Sequence, residues 1–146
     1  MTPSPQRAAA EGRLLNVLGN HLLVKVSGEQ TGGMYELYEQ TNPPGAGVPP
    51  HVHGAEDETF YVVSGQVRFL VGDQWRDAGP GTTLFAPRNV PHGYQIVGHE
   101  PAVLLFIVSP PNLEPMFAEL SALPPGPPDL AKVGEICGRY HIQFVQ

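Results

Sequence analysis

The chain has 146 residues, of which 41% are hydrophobic, enough for one domain with a substantial core. A net charge of −6, with only 8 basic residues and no basic cluster, argues against nucleic acid as a partner. The longest apolar run, Ala102 to Val108, is too short to span a bilayer, and the N-terminal region has no apolar h-region. With a single cysteine, Cys137, and therefore no internal disulfide, the expectation is a cytoplasmic protein without membrane association.

The counts of 17 Gly and 17 Pro are high for a globular chain and fit many short strands joined by tight bends, as in a barrel or jelly roll. Met1 to about Glu11 reads as a mobile tail, and residues 1–19 are placed outside the barrel. His21–Ser27 and Met34–Thr41 alternate enough to be two strands, with a Gly-rich loop between them. At His51-Val52-His53 strand alternation turns both imidazoles to one side. After the polar turn Gly54–Asp57, Glu58–Ser64 is rich in aromatic and β-branched residues, and Glu58, Phe60 and Val62 share a face. Gly65 ends that strand and Gln66–Val71 begins the next. Gly72–Asp77 reads as turn, with Trp75 covering an edge. His92–Ile96 then sets His92, Tyr94 and Ile96 on one face.

Three strands thus aim His51, His53, Glu58 and His92 into one volume, with Phe60, Val62, Tyr94 and Ile96 as its apolar wall. Three imidazole nitrogens and a carboxylate oxygen suit one divalent transition metal (Fe, Ni, Cu, Mn or Zn) rather than calcium or magnesium, which favour all-oxygen shells. Glu56 and Asp57 compete with Glu58 for the carboxylate position; Glu58 is preferred because it heads the strand. Arg88 is the one nearby cation. His21, His99 and His141 have no comparable partners and read as surface residues. Cys137 reads as an inert member of an apolar stripe.

These residues resemble the two signature motifs of the cupin superfamily. Gly45, His51, His53, Glu58 and Gly65 match the first motif, and Gly81, Pro87 and His92 match the second. Asn89 stands where the second motif has glycine, and Asn tolerates positive φ better than most residues. Ile96 replaces an asparagine common in the family. The resemblance implies an all-β fold, a single cupin β-barrel (double-stranded β-helix or jelly roll), over residues 20–109. It is similar in particular to quercetin 2,3-dioxygenase-like cupins, which implies a metal-dependent dioxygenase acting on a small aromatic or enolic substrate. In that reaction Glu58 also takes the substrate's hydroxyl proton. A zinc-type Lewis-acid isomerase or cyclase, and a small-molecule-binding cupin without catalysis, are the alternatives.

The continuous apolar strand Ala102–Val108 predicts burial on both faces and, with it, a homodimer. Residues 110–146 form a Pro-rich helical extension of the same single domain, which covers residues 1–146. Within it, Leu113–Leu123 is predicted as a short helix. A second helix starts at Asp129 as N-cap and carries Leu130, Val133, Ile136, Cys137 and Tyr140 on one stripe. His141–Val145 is a terminal strand or arm. The extension is expected either to fold over the barrel mouth or to clasp a partner.

Overall fold

A computed structural model describes residues 6–145; the expectation of a tail at Met1–Pro5 lies outside the described residues. The strands, in chain order, are β1 (Arg13–Val17), β2 (Asn20–Val26), β3 (Glu36–Asn42), β4 (Gly47–His53), β5 (Asp57–Ser64), β6 (Gln66–Val71), β7 (Gln74–Ala78), β8 (Thr83–Ala86), β9 (His92–Val97) and β10 (Ala102–Ser109). They are followed by helices α1 (Glu114–Ser121) and α2 (Leu130–Arg139) and by β11 (Ile142–Phe144). All pairings are antiparallel, in two sheets ordered β1-β2-β3-β10-β5-β8 and β11-β4-β9-β6-β7. This is the all-β jelly roll with a short helical extension that the sequence predicts.

The alternation of side chains builds the core. On the first sheet, Leu22, Val24, Tyr38, Phe60, Val62, Leu104, Phe106 and Val108 turn inward, and they meet Val67, Phe69, Tyr94 and Ile96 from the second. Burying each large apolar side chain contributes about 1.5–3 kcal/mol. Gly65 shows why a glycine is needed at the end of β5. Its φ is +85°, and a Cβ there would sit 2.6 Å from Ala102 Cα.

Several elements differ from the reading of the sequence. Residues 13–17 are not tail but β1, hydrogen-bonded along β2. The preceding segment is pinned as well. Arg7 Nη1 donates to the Val24 carbonyl at 2.7 Å, and Lys25 Nζ donates to the carbonyls of Ala8, Ala9 and Glu11. Gln74–Ala78 is an edge strand rather than a turn, with the Arg68 guanidinium 5.7 Å from the Trp75 ring centre. β10 is buried on one face only: Ala102, Leu104, Phe106 and Val108 enter the core, whereas Ile107 is 40% exposed.

The extension folds over the mouth of its own barrel. Asp129 caps α2 by accepting hydrogen bonds from Ala131 N and Lys132 N, as its residue type predicts. Of the predicted α2 stripe, Val133, Ile136 and Cys137 are buried, along with Met116 and Leu120 of α1, whereas Tyr140 is partly buried and Leu130 is exposed. Glu119 ties the helices together, accepting from Arg139 Nη2 at 2.7 Å and from the Tyr140 hydroxyl at 2.6 Å. The Leu113 N–H donates to the buried Glu36 carboxyl at 2.9 Å, fastening α1 to β3. β11 completes the second sheet beside β4, with Ile142 opposite His53 and Phe144 opposite His51. No helix among the described residues is long and apolar enough to cross a membrane.

Candidate metal centre

β4 and β9 pair so that His51 lies directly opposite His92, after a shift of register between Val48 and His51. Gly93 permits this close approach, since a Cβ there would lie 2.8 Å from the Val48 carbonyl oxygen. His53 follows His51 on the same face, and Glu58 reaches in from β5 on the opposite sheet. All four side chains are buried. One nitrogen from each of His51, His53 and His92 lies within 4.8 Å of the others. Glu58 Oε1 is 2.9 Å from His53 Nε2, and its Oε2 is 3.7 Å from His92 Nε2.

The outward ring nitrogens decide the tautomers. His51 Nδ1 lies 2.9 Å from the Pro49 carbonyl, which can only accept, so Nδ1 carries the proton and Nε2 presents a lone pair. His53 Nδ1 lies 3.0 Å from the Glu56 carboxylate and is ordered in the same way. Glu56 is itself buried and held by Asn112 Nδ2 at 3.3 Å. The Nε2 atoms of His51 and His53 then face each other at 3.1 Å. His92 has neither ring nitrogen in a formed hydrogen bond, although the Val90 carbonyl lies close enough to favour its protonated form.

Converging imidazole nitrogens, a buried imidazole without a protein partner and a facing carboxylate form a donor set suited to a cation. The residues fit a divalent transition metal. Three buried histidines are thus positioned to bind one. Electrostatics agree for His51, His92 and Glu58, whereas His53 holds a proton that a bound cation would displace. Burial, reinforced by His92 and His53, lowers the His51 pKa to about 4, and burial likewise lowers that of His92. Both rings therefore remain neutral near pH 7, the state that ligates. Burial opposes the charge on Glu58, but the neighbouring histidines outweigh it and hold the carboxyl well below the usual range. Burial also opposes charge on His53, yet Glu58 and Glu56 outweigh it and raise that imidazole.

The residues that competed with Glu58 take other roles. Asp57 turns outward to Arg88, accepting from its backbone N at 2.8 Å and its Nε at 3.2 Å, so this cation is engaged outside the site. Asn89 has φ +66° and donates its N–H to the His53 carbonyl at 2.8 Å, supplying the turn a glycine would make.

A cavity of about 430 Å³ opens onto the histidines and Glu58. Phe60, Phe106 and Tyr94 wall it from the sheets, and Phe117, Leu120 and Val133 cover it from the extension. Val62 and Ile96, expected in this wall, do not line it. They share parity with the ligands but stand further along their strands, packed in the core at 0% and 4% exposure. Phe106, which the sequence presented only within the apolar strand Ala102–Val108, does line it, and so does Cys137, which the sequence presented only as part of an apolar stripe. Reading the sequence also missed the role of Glu56; its signal is the i, i+3 spacing from His53 across a tight turn.

Residues 38–108 match the family described as Cupin domain. Over 92 residues, 63% of this chain, the sequence is 29% identical to Quercetin 2,3-dioxygenase of Bacillus subtilis (strain 168), and the match spans 27% of that protein's length. The fold is similar to that of an RmlC-like cupin from Shewanella frigidimarina NCIMB 400, with a TM-score of 0.64 at 17% identity over 74% of this chain and 92% of that one. It is also similar to the polyketide cyclase RemF from Streptomyces resistomycificus, with a TM-score of 0.63 at 18% identity over 73% of this chain and 80% of that one. At these identities the two structures bear on fold alone.

Proposed function

This chain is a small member of the cupin superfamily, and from that premise we propose that it is a metal-dependent enzyme, a dioxygenase acting on a small aromatic or enolic substrate. The observation that carries the reading is the cavity of about 430 Å³, walled by aromatic rings, that opens onto the His51, His53, His92 and Glu58 cluster. The likeness to the Bacillus dioxygenase supports the same chemistry.

In this reading His51, His53 and His92 hold a divalent metal, with Glu58 as its fourth ligand. The bound metal supplies Lewis acidity and, when redox-active, an electron path between an enolic substrate and dioxygen. The chain's own residues do the rest. Glu58, kept ionised by its histidine neighbours, accepts the hydroxyl proton of the incoming substrate. Phe60 and Phe106 take the substrate's ring by apolar contact, and no Arg or Lys among the described residues lines the cavity to recruit a phosphate. Helices α1 and α2 cover the cavity and keep bulk water from the reacting carbons. Glu56 and the Pro49 carbonyl keep the two β4 imidazoles in the ligating tautomer.

Elemental analysis of protein purified without added metal, combined with dioxygen uptake on a panel of flavonols and catechols, tests this reading. A redox-active metal with uptake is the expected result. Zinc without uptake replaces the oxygenase by a Lewis-acid isomerase or cyclase, and protein that takes up no metal at all reduces the site to a binding module.

A further inference from the structure

The cavity carries a second polar point, remote from the histidines. Asn20 lines it from the start of β2, with the side chain buried at 3% exposure. Its Nδ2 donates to the Val17 carbonyl at 3.3 Å. A carbonyl cannot donate, so this contact fixes which way the amide points. Oδ1 is thereby left as a buried acceptor to which no donor among the described residues hydrogen-bonds. The β1–β2 hairpin holds this arrangement, because Val17 and Asn20 are partners across a two-residue turn in which Leu18 and Gly19 both have positive φ.

The neighbouring polar groups are already engaged. Tyr94 has one hydroxyl proton and two acceptors, Gln40 Oε1 at 3.1 Å and Asn42 Oδ1 at 3.2 Å. Asn42 Nδ2 is turned to the Gln40 and Ala102 carbonyls. The remaining donor of this cluster is the Gln40 Nε2 amide, and it makes no hydrogen bond to Asn20 Oδ1.

Strand register gives the separation. Glu58 stands in the row of Val108, while Gln40 stands in the row of Leu104, four residues further along β10. That is about 13 Å of strand. Leu22 faces Gln40 across β2 and β3, which places Asn20 beyond that row, further from the metal ligands. Aromatic and aliphatic wall lies between the two polar ends.

We propose that Asn20 is a specificity-determining residue: its Oδ1 accepts a hydrogen bond from a hydroxyl or N–H group at the far end of an elongated, two- or three-ring aromatic ligand whose near end sits at the histidines. The inference deepens the aromatic-substrate reading and rests on it. An acceptor on the ligand would be repelled at this point, and an apolar end would leave Oδ1 stranded.

The test uses zinc-reconstituted full-length protein and calorimetric titration, with no turnover needed. The probes are 3-hydroxyflavone and its two derivatives bearing one further hydroxyl, at the 3′ or the 4′ position of the remote ring. At least one dihydroxy isomer should bind about tenfold more tightly than the parent. Asn20→Leu should erase that advantage, with the zinc content unchanged and the parent bound at least as tightly as by wild type. Equal binding of all three by wild-type protein overturns the role of Asn20 alone, as does an advantage that survives in Asn20→Leu. This wild-type comparison decides even if the variant does not fold. Failure of every flavone to bind overturns the aromatic-substrate reading and the anchor with it.

Discussion

Glu56 accepts a hydrogen bond from His53 Nδ1 at 3.0 Å, and this contact decides which nitrogen of His53 faces the cavity. Glu56 never reaches the centre itself, yet its loss should be felt there. Removing such an outer partner of a ligating imidazole lowers metal affinity about 10- to 100-fold. Glu56→Gln should therefore load less metal at limiting supply and saturate normally at high supply. Competition with a chromogenic chelator measures this, and unchanged affinity would show that the Asn89 turn alone fixes the ring.

His53→Ala should abolish stoichiometric metal binding while the barrel still melts cooperatively, because the core does not depend on the site. Glu58→Gln should keep the three imidazoles and bind metal more weakly. Elemental analysis beside thermal melts reads both variants. Retention of a full equivalent by His53→Ala would refute the assignment of this cluster.

Glu36 should make stability depend on pH. Burial pushes its carboxyl up from 4.5 to about 7, opposed in part by the Leu113 N–H. The folded chain thus holds this proton more tightly than the unfolded one. Its contribution is complete below about pH 4.5 and is lost as pH rises through about 7. The difference is worth about 3 kcal/mol. Glu36→Gln should lack this component, so the gap between wild-type and variant melting temperatures should change across that window. Parallel curves would falsify the idea.

Ile96 faces the core rather than the cavity, which changes what its replacement does. Ile96→Asn should strand an amide among apolar groups and cost about 2–4 kcal/mol. Metal content per folded molecule should stay constant. Chemical denaturation gives the first quantity, and a variant as stable as wild type would mean that the side chain escapes to solvent.

The outer face of the first sheet exposes Ile107, Tyr61 and Phe85, at 40%, 43% and 58%. On the strength of this row we expect a homodimer formed by the backs of two barrels. Light scattering at micromolar concentration should give twice the monomer mass, and Ile107→Glu should halve it. A wild-type monomer would remove the proposal.

The histidines were legible in the sequence because strand periodicity acts locally: a spacing of two places His51 and His53 on one side whatever the rest of the chain does. Height along the barrel is not local. Phe60 and Val62 have the same parity, and only pairing with β10 and the cover of α1 and α2 put the first in the cavity and the second beneath it. Edge strands were hidden for a related reason. Gln74–Ala78 has one buried residue, Ala78, and its other side chains, Trp75 included, are exposed, so its composition imitates a turn. Arg13–Val17 is likewise half exposed and gains its strand character from β2. Helix α2 could be read because its Asp129 cap and apolar stripe are properties of the segment itself, and α1 because Pro115 suits a first helical turn.

The pairing of β11 with β4 has a bearing on biosynthesis. Residues 142–144 emerge from the ribosome long after His51 and His53, and until they do, the strand bearing those imidazoles is an open edge. The backbone around the two histidines takes its final shape only when this neighbour docks. On the proposed reading, loading with metal waits for this docking, and mutations in β11 should register as defects of metallation before they register as defects of catalysis.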